Sequence, residues 1–115
     1  MPIRHRQTDL DVAAKLFRGL GEPTRLEILR HLATEELRVT DLVARLGTSQ
    51  PNVSGHLACL RECGLVEDRP EGRAVWYRLA ALELFDVLEA AESLLGQVGS
   101  KIELCPGDSR GARRQ

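Results

Sequence analysis

Between Thr40 and Gly64 two short helical periods meet at a glycine, and that arrangement constrains the fold more than any other stretch of the chain. Leu42, Val43 and Leu46 recur at helical spacing behind Thr40, a capping residue, and Gly47 supplies a left-handed stop. Thr48 or Ser49 caps a second helix whose inward face is Val53, Leu57 and Leu60 and which ends at Gly64. Two helices joined by a few residues centred on glycine make a helix-turn-helix. Next come Leu65 to Arg69, the turn signal Pro70-Glu71-Gly72, and Arg73 to Leu79, in which Val75, Tyr77 and Leu79 alternate with Ala74, Trp76 and Arg78. That pattern predicts a β-hairpin, the wing of a winged helix-turn-helix domain.

Ahead of this unit, Leu10, Val12, Ala13, Leu16, Phe17 and Leu20 predict a first helix, capped by Thr8 or Asp9 and ended by Gly19 and Gly21. Pro23 opens a second, with Leu26, Ile28, Leu29 and Leu32 on its buried face. Behind the hairpin, Leu82, Phe85, Leu88 and Leu95, flanked by Leu84, Val87, Ala91, Leu94 and Val98, predict a long helix that is apolar over more surface than one core contact requires. With the first helix it is the expected interface of a homodimer, and pairing suits a chain of 115 residues, whose own core is modest. One Trp, one Tyr and two Phe leave the core to aliphatic side chains, the palette of packed helices. The expected architecture is mainly α with a β-hairpin wing, a single domain over 1–98 followed by a glycine- and charge-rich tail over 99–115 that carries Cys105.

The formal net charge of -1 gives no overall attraction to nucleic acid, so any contact must come from how charge is distributed. Glu83, Asp86, Glu89 and Glu92 recur every third position, the spacing of a solvated helix face, while Arg69, Arg73 and Arg78 gather in the hairpin. Arg69 and Arg73 are expected to reach phosphate. The start of the second helix of the helix-turn-helix nominates Ser49, Gln50, Asn52, Ser54 and His56 to meet base edges of double-stranded DNA, where Gln and Asn can read adenine bidentately. Ser, Gln and Asn also cap and solubilise helix starts. His56 also reads as a phosphate contact, as a core residue or, less readily, as a metal ligand three residues before Cys59, since a lone His on a packed helix more often has a structural partner.

No apolar stretch reaches the length of a signal peptide or a membrane span, so a cytoplasmic protein without a membrane partner is expected. In a reducing compartment three cysteines argue for thiols that bind metal or react. Cys59 and Cys63, four residues apart on one helix, can point two sulfurs at one ion, and Cys105 can close over them as a third. Three thiolates suit a large soft ion, Cd(II) or Pb(II) first, with Zn(II) or another thiophilic ion behind them. Alternatively the helix pair is a set of small buried hydrophobes, or a redox or persulfide switch. An enzyme with a cysteine nucleophile activated by His56 lacks a third orienting group and a substrate pocket, so neither catalysis nor a small-molecule substrate is expected.

Glu22-Pro23-Thr24-Arg25-Leu26-Glu27-Ile28-Leu29, Gln50-Pro51-Asn52-Val53-Ser54-Gly55-His56-Leu57, Leu60-Arg61 and Gly64-Leu65-Val66 together resemble the ArsR/SmtB family of metal-responsive repressors, over nearly the whole chain before the tail. The resemblance implies a dimeric winged-helix repressor released from its operator by an inducer. The family's arsenic-type site is missing, since Arg38 and Thr40 stand where thiols are needed. Its zinc-type site is missing as well, since the last helix offers Asp86, Glu89 and Glu92 but no histidine. Cys59 and Cys63 with Cys105 resemble the CmtR type of cadmium and lead sensor, which implies that these three are the metal ligands.

Overall fold

A computed structural model describes residues 2–99, with side chains from residue 9 onward. The order is α1 (Pro2–Leu20), α2 (Pro23–Leu32), β1 (Leu37–Arg38), α3 (Val39–Leu46), α4 (Gln50–Glu62), β2 (Val66–Glu71), β3 (Ala74–Leu79) and α5 (Glu83–Gln97). This is a winged helix-turn-helix, with α3 and α4 as the helix pair and β2–β3 as the wing. The tail expected over 99–115, Cys105 included, falls outside the described residues from 100 onward.

Local chemistry sets most of the boundaries. Pro23 takes the first turn of α2, where its missing N–H is no loss, and the Glu22 carboxylate accepts from the Arg25 backbone N–H at 2.8 Å. Ser49 Oγ does the same for Asn52 N–H at the start of α4, at 3.2 Å. Gly47 ends α3 at φ 70, its N–H closing on the Val43 carbonyl oxygen at 2.9 Å.

Three boundaries differ from expectation. α1 runs back to Pro2, straight through the expected caps Thr8 and Asp9. α3 begins one residue before Thr40, because the Asp41 carboxylate reaches back to the Arg38 N–H at 3.0 Å and caps the helix from inside. The hairpin turn is Gly72-Arg73 rather than Pro70-Glu71-Gly72, since β2 continues to Glu71 with Pro70 opposite Val75 and Glu71 opposite Ala74. β2 is an edge of the sheet, whose order is β1-β3-β2, so Pro70 needs no ladder donor on its open side. Gly72 carries the tight turn at φ 62.

The core is aliphatic: Ile28, Leu29, Leu42, Val53, Leu57, Leu60 and Leu88 are all but sealed from solvent, and Phe85 joins them from α5. Val53, Leu57 and Leu60 anchor α4 along one face and leave the opposite face of its first turns open. The acidic residues of α5 do not form the solvated stripe their spacing suggests. Glu83 and Asp86 are exposed, Glu89 is half-buried, and Glu92 is buried at 8% exposure. Among the described residues the exposed large hydrophobics are Leu10, Val12 and Phe17 on α1 and Leu82, Leu94 and Val98 on or flanking α5.

Candidate nucleic-acid interface and thiol pair

Ser49, Gln50, Asn52 and Ser54 are all exposed at the start of α4. Capping and the expected reading of bases are compatible in this geometry. Ser49 Oγ is used by Asn52 N–H, and Asn52 Nδ2 donates to Thr48 Oγ1 at 3.0 Å, which holds the Asn52 amide in one orientation with its oxygen free to accept. Gln50 and Ser54 sit one turn apart on the same open face. His56 is placed differently. It is half-buried, its Nδ1 accepts from Arg25 Nε at 3.3 Å, and Glu22 Oε1 lies 3.8 Å from that nitrogen. The imidazole is thus seated on the first turn of α2 rather than on the face that carries Ser49 to Ser54.

The wing arginines separate in the same way. Arg69 is engaged by Glu36 Oε1 through Nε at 3.2 Å and Nη2 at 3.0 Å, with Glu71 at 3.4 Å. The Glu36 hydrogen bonds hold the guanidinium above its ordinary pKa. Arg78 Nε donates to Glu67 at 2.8 Å. Arg73 occupies the turn itself and is exposed. Arg61 Nη1, near the end of α4, donates to Asp68 at 2.9 Å and ties the helix to β2.

Arg38 was not foreseen as a cation of this surface. β1 places it opposite Trp76, and Arg69 lies opposite Trp76 from the other side, so the three form one row across the sheet. The Arg38 guanidinium lies 5.2 Å from the centre of the Trp76 ring. Asp41 accepts from its Nε and Nη2, each at 3.2 Å, which depresses the Asp41 pKa and raises that of Arg38. A two-residue strand gives no alternation to detect, so nothing in the sequence pointed to this row.

Cys59 and Cys63 are free thiols, both half-buried. With His56 they recur at i, i+3 and i+7, a stripe of α4 that ends on Cys63, its C-cap residue. His56 meets α2, and Cys63 Sγ donates to the Lys15 carbonyl oxygen of α1 at 3.7 Å. Arg25 Nη1 reaches the Arg18 carbonyl oxygen at 3.2 Å, so the stripe faces the junction of α1 and α2. Two sulfurs at this spacing suit a soft ion, but no group of three His, Cys, Asp or Glu able to hold a metal occurs among the described residues. Cys105, the third expected donor, lies outside the described residues.

Among the described residues no helix is long and apolar enough to cross a membrane. The family profile described as bacterial regulatory protein, arsR family, matches residues 22–68, from the cap of α2 into the wing. The probable mercury resistance operon repressor of Streptomyces lividans is 34% identical over 104 residues, 88% of this chain and 83% of that one. The HTH-type transcriptional regulator CmtR of Mycobacterium tuberculosis is 49% identical over 67 residues, 58% of this chain and 57% of that one. Among solved structures, the homodimeric winged helix-turn-helix DNA-binding domain from Mycobacterium bovis superposes with a TM-score of 0.77 at 26% identity, covering 85% of this chain and 91% of that one.

Proposed function

The chain belongs to the arsR family of bacterial regulatory proteins, and from that premise we propose that it is a homodimeric operator-binding repressor released by a soft metal ion held on Cys59, Cys63 and Cys105. Cd(II) and Pb(II) fit three thiolates best, ahead of Zn(II). The observation that carries the proposal is the position of the Cys59–Cys63 stripe, on the helix that presents Gln50, Asn52 and Ser54 and turned toward α1. The relatives' names, a mercury resistance repressor and CmtR, support the same class of signal.

The exposed start of α4 reads base edges while its thiol stripe rests on α1, whose outer face carries Leu10, Val12 and Phe17. Those residues, with Leu82, Leu94 and Val98, supply the apolar surface for a second subunit. Ligation deprotonates the sulfurs, so Cys63 gives up the proton it donates to the Lys15 oxygen and α4 loses that tie to the dimer element. A coupling of about 1–3 kcal/mol between ion and operator corresponds to weakening of roughly 5- to 150-fold, and DNA weakens ion binding by the same factor.

The test is an absorbance titration of reduced, metal-free protein with Cd(II), beside Cys59→Ser, Cys63→Ser and Cys105→Ser, followed by DNA binding of each. A sulfur-to-metal charge-transfer band saturating at one ion per subunit, weakened in all three variants and accompanied by DNA release, is expected. A wild-type band in Cys105→Ser would remove the third ligand. Absence of any band, with DNA release by mild peroxide or polysulfide, would replace the metal reading by a thiol redox or persulfide-responsive repressor of the same fold.

A further inference from the structure

An open groove of about 430 Å³ separates the start of α3 from the tip of the wing, lined by Arg38, Val39, Thr40, Arg73, Ala74 and Val75. Its two walls belong to different elements but are held in register, because β1 pairs Arg38 with Trp76 and the turn at Gly72-Arg73 closes the same β3 strand. Arg38 enters from one wall with its side chain already ordered, hydrogen-bonded to Asp41 and stacked over Trp76, and the remaining N–H groups of its fork are left to a ligand. Arg73 enters from the other wall, exposed at the turn, and the exposed Thr40 hydroxyl stands beside Arg38.

Two guanidiniums and a hydroxyl around an open groove suit an oxyanion, and the arginine fork matches phosphate geometry. We propose that this groove seats a backbone phosphate of duplex DNA, gripped by Arg38 and Arg73 from opposite sides, while the start of α4 reads the neighbouring bases. The first helix of a helix-turn-helix crosses the backbone when the second lies in the major groove, and here the groove lies between that first helix and the wing. Arg38 thus grips the backbone beside the helix that reads the bases. It does so with a side chain that positions the protein on DNA without reading sequence.

This inference rests on the DNA-binding reading above, and the experiment separates the two. Full-length protein is titrated with a short duplex of random sequence and with a duplex enriched from a random pool by the protein itself, at several salt concentrations. Emission of Trp76, the single tryptophan, is followed in parallel. Arg73→Ala is expected to lower the slope of log K against log salt by about 0.9, equally on both duplexes, and Arg38→Gln to lower it by less, since Asp41 already offsets part of its charge. Gln50→Ala is expected to weaken only the enriched duplex and to keep the slope. Duplex is expected to change Trp76 emission, and inorganic phosphate at constant ionic strength is not.

Unchanged slopes in both arginine variants, with Gln50→Ala behaving as stated, would overturn the phosphate seat alone. Arg73→Ala decides the matter if Arg38→Gln disturbs the start of α3. A response of Trp76 to inorganic phosphate equal to its response to DNA would make the groove a free-anion site instead. Failure of the wild-type protein to bind either duplex would overturn the DNA reading and this inference together.

Discussion

Cys63 Sγ lies 3.7 Å from the main-chain oxygen of Lys15, so the last residue of the thiol stripe is a hydrogen-bond donor to α1 as well as a candidate ligand. The two roles are separable by substitution. Serine keeps a donor in place of the weak S–H, and the side chain is only half-buried. Cys63→Ser is therefore expected to unfold within about 1 kcal/mol of wild type in urea. Its charge-transfer band with Cd(II) is expected to weaken, and Cd(II) is expected no longer to release it from DNA. A large loss of stability with metal response retained would make Cys63 a packing residue.

Gly19 and Gly55 are both helical and predict opposite outcomes. A Cβ on Gly19 would stand 3.0 Å from Leu65 Cδ1 and 3.2 Å from Cys63 Sγ, whereas one on Gly55 would meet nothing within 4 Å. Gly55→Ala is expected to stabilise the free protein by about 0.5–1 kcal/mol through the helix backbone alone. Because Gly55 lies beside the exposed Ser54 and Ala58 on the open face of α4 proposed to meet DNA, that gain is expected to come with weaker DNA binding. Gly19→Ala gains the same helical term but crowds the contact of α1 with α4, and overpacking of this kind costs about 1–3 kcal/mol. Thermal unfolding of the two variants side by side is expected to move in opposite directions.

α2, α3 and α4 were legible because each joins buried aliphatic positions at helical spacing to a cap or a glycine stop, as in Ser49, Val53, Leu57, Leu60 and Gly64 for α4. What escaped was decided by partners distant in sequence. β1 is two residues long and exists because β3 offers Tyr77 and Trp76 to pair with Leu37 and Arg38. Pro70 signals a turn locally, yet at a sheet edge it is an ordinary strand residue. The site divided along the same line. Gln50, Asn52 and Ser54 are exposed where a helix start should expose them, whereas the inward turn of His56 depends on Arg25, thirty-one positions away. Burial of Glu92 is likewise a property of packed neighbours that a one-in-three acidic spacing does not reveal.

His31, in the last turn of α2, has its pKa lowered from 6.5, first by burial and then by the nearby Arg45 guanidinium. The sign follows from which state binds the proton more readily. As pH falls past 6.5 the unfolded chain protonates His31 before the folded one does, so stability held above that value is lost as pH falls toward the folded-state pKa. Replacing the imidazole by a neutral amide removes this contribution. Urea unfolding of His31→Gln is expected to show a shallower loss of stability than wild type on the acid side of pH 6.5, with the two curves running parallel above it. Equal slopes on both sides would show that His31 titrates alike in the folded and unfolded chains.

Glu36 occupies Arg69 with two hydrogen bonds to one oxygen, at 3.2 Å and 3.0 Å, and Glu71 adds a second carboxylate oxygen at 3.4 Å. An arginine compensated from two sides adds little to the attraction for phosphate, even though Arg69 shares a row across the sheet with Trp76 and Arg38. Arg69→Ala is thus expected to change the salt dependence of DNA binding less than Arg73→Ala does. Glu36→Gln removes one negative charge and weakens the hold on Arg69, so it is expected to tighten binding to random and enriched duplexes by the same factor. The salt slope should steepen, by at most about 0.9 if the freed guanidinium finds one phosphate. An unchanged slope in Glu36→Gln would instead assign Arg69 to a purely structural tie between the segment before β1 and the wing, leaving the charge that meets DNA to the wing tip and the start of α3.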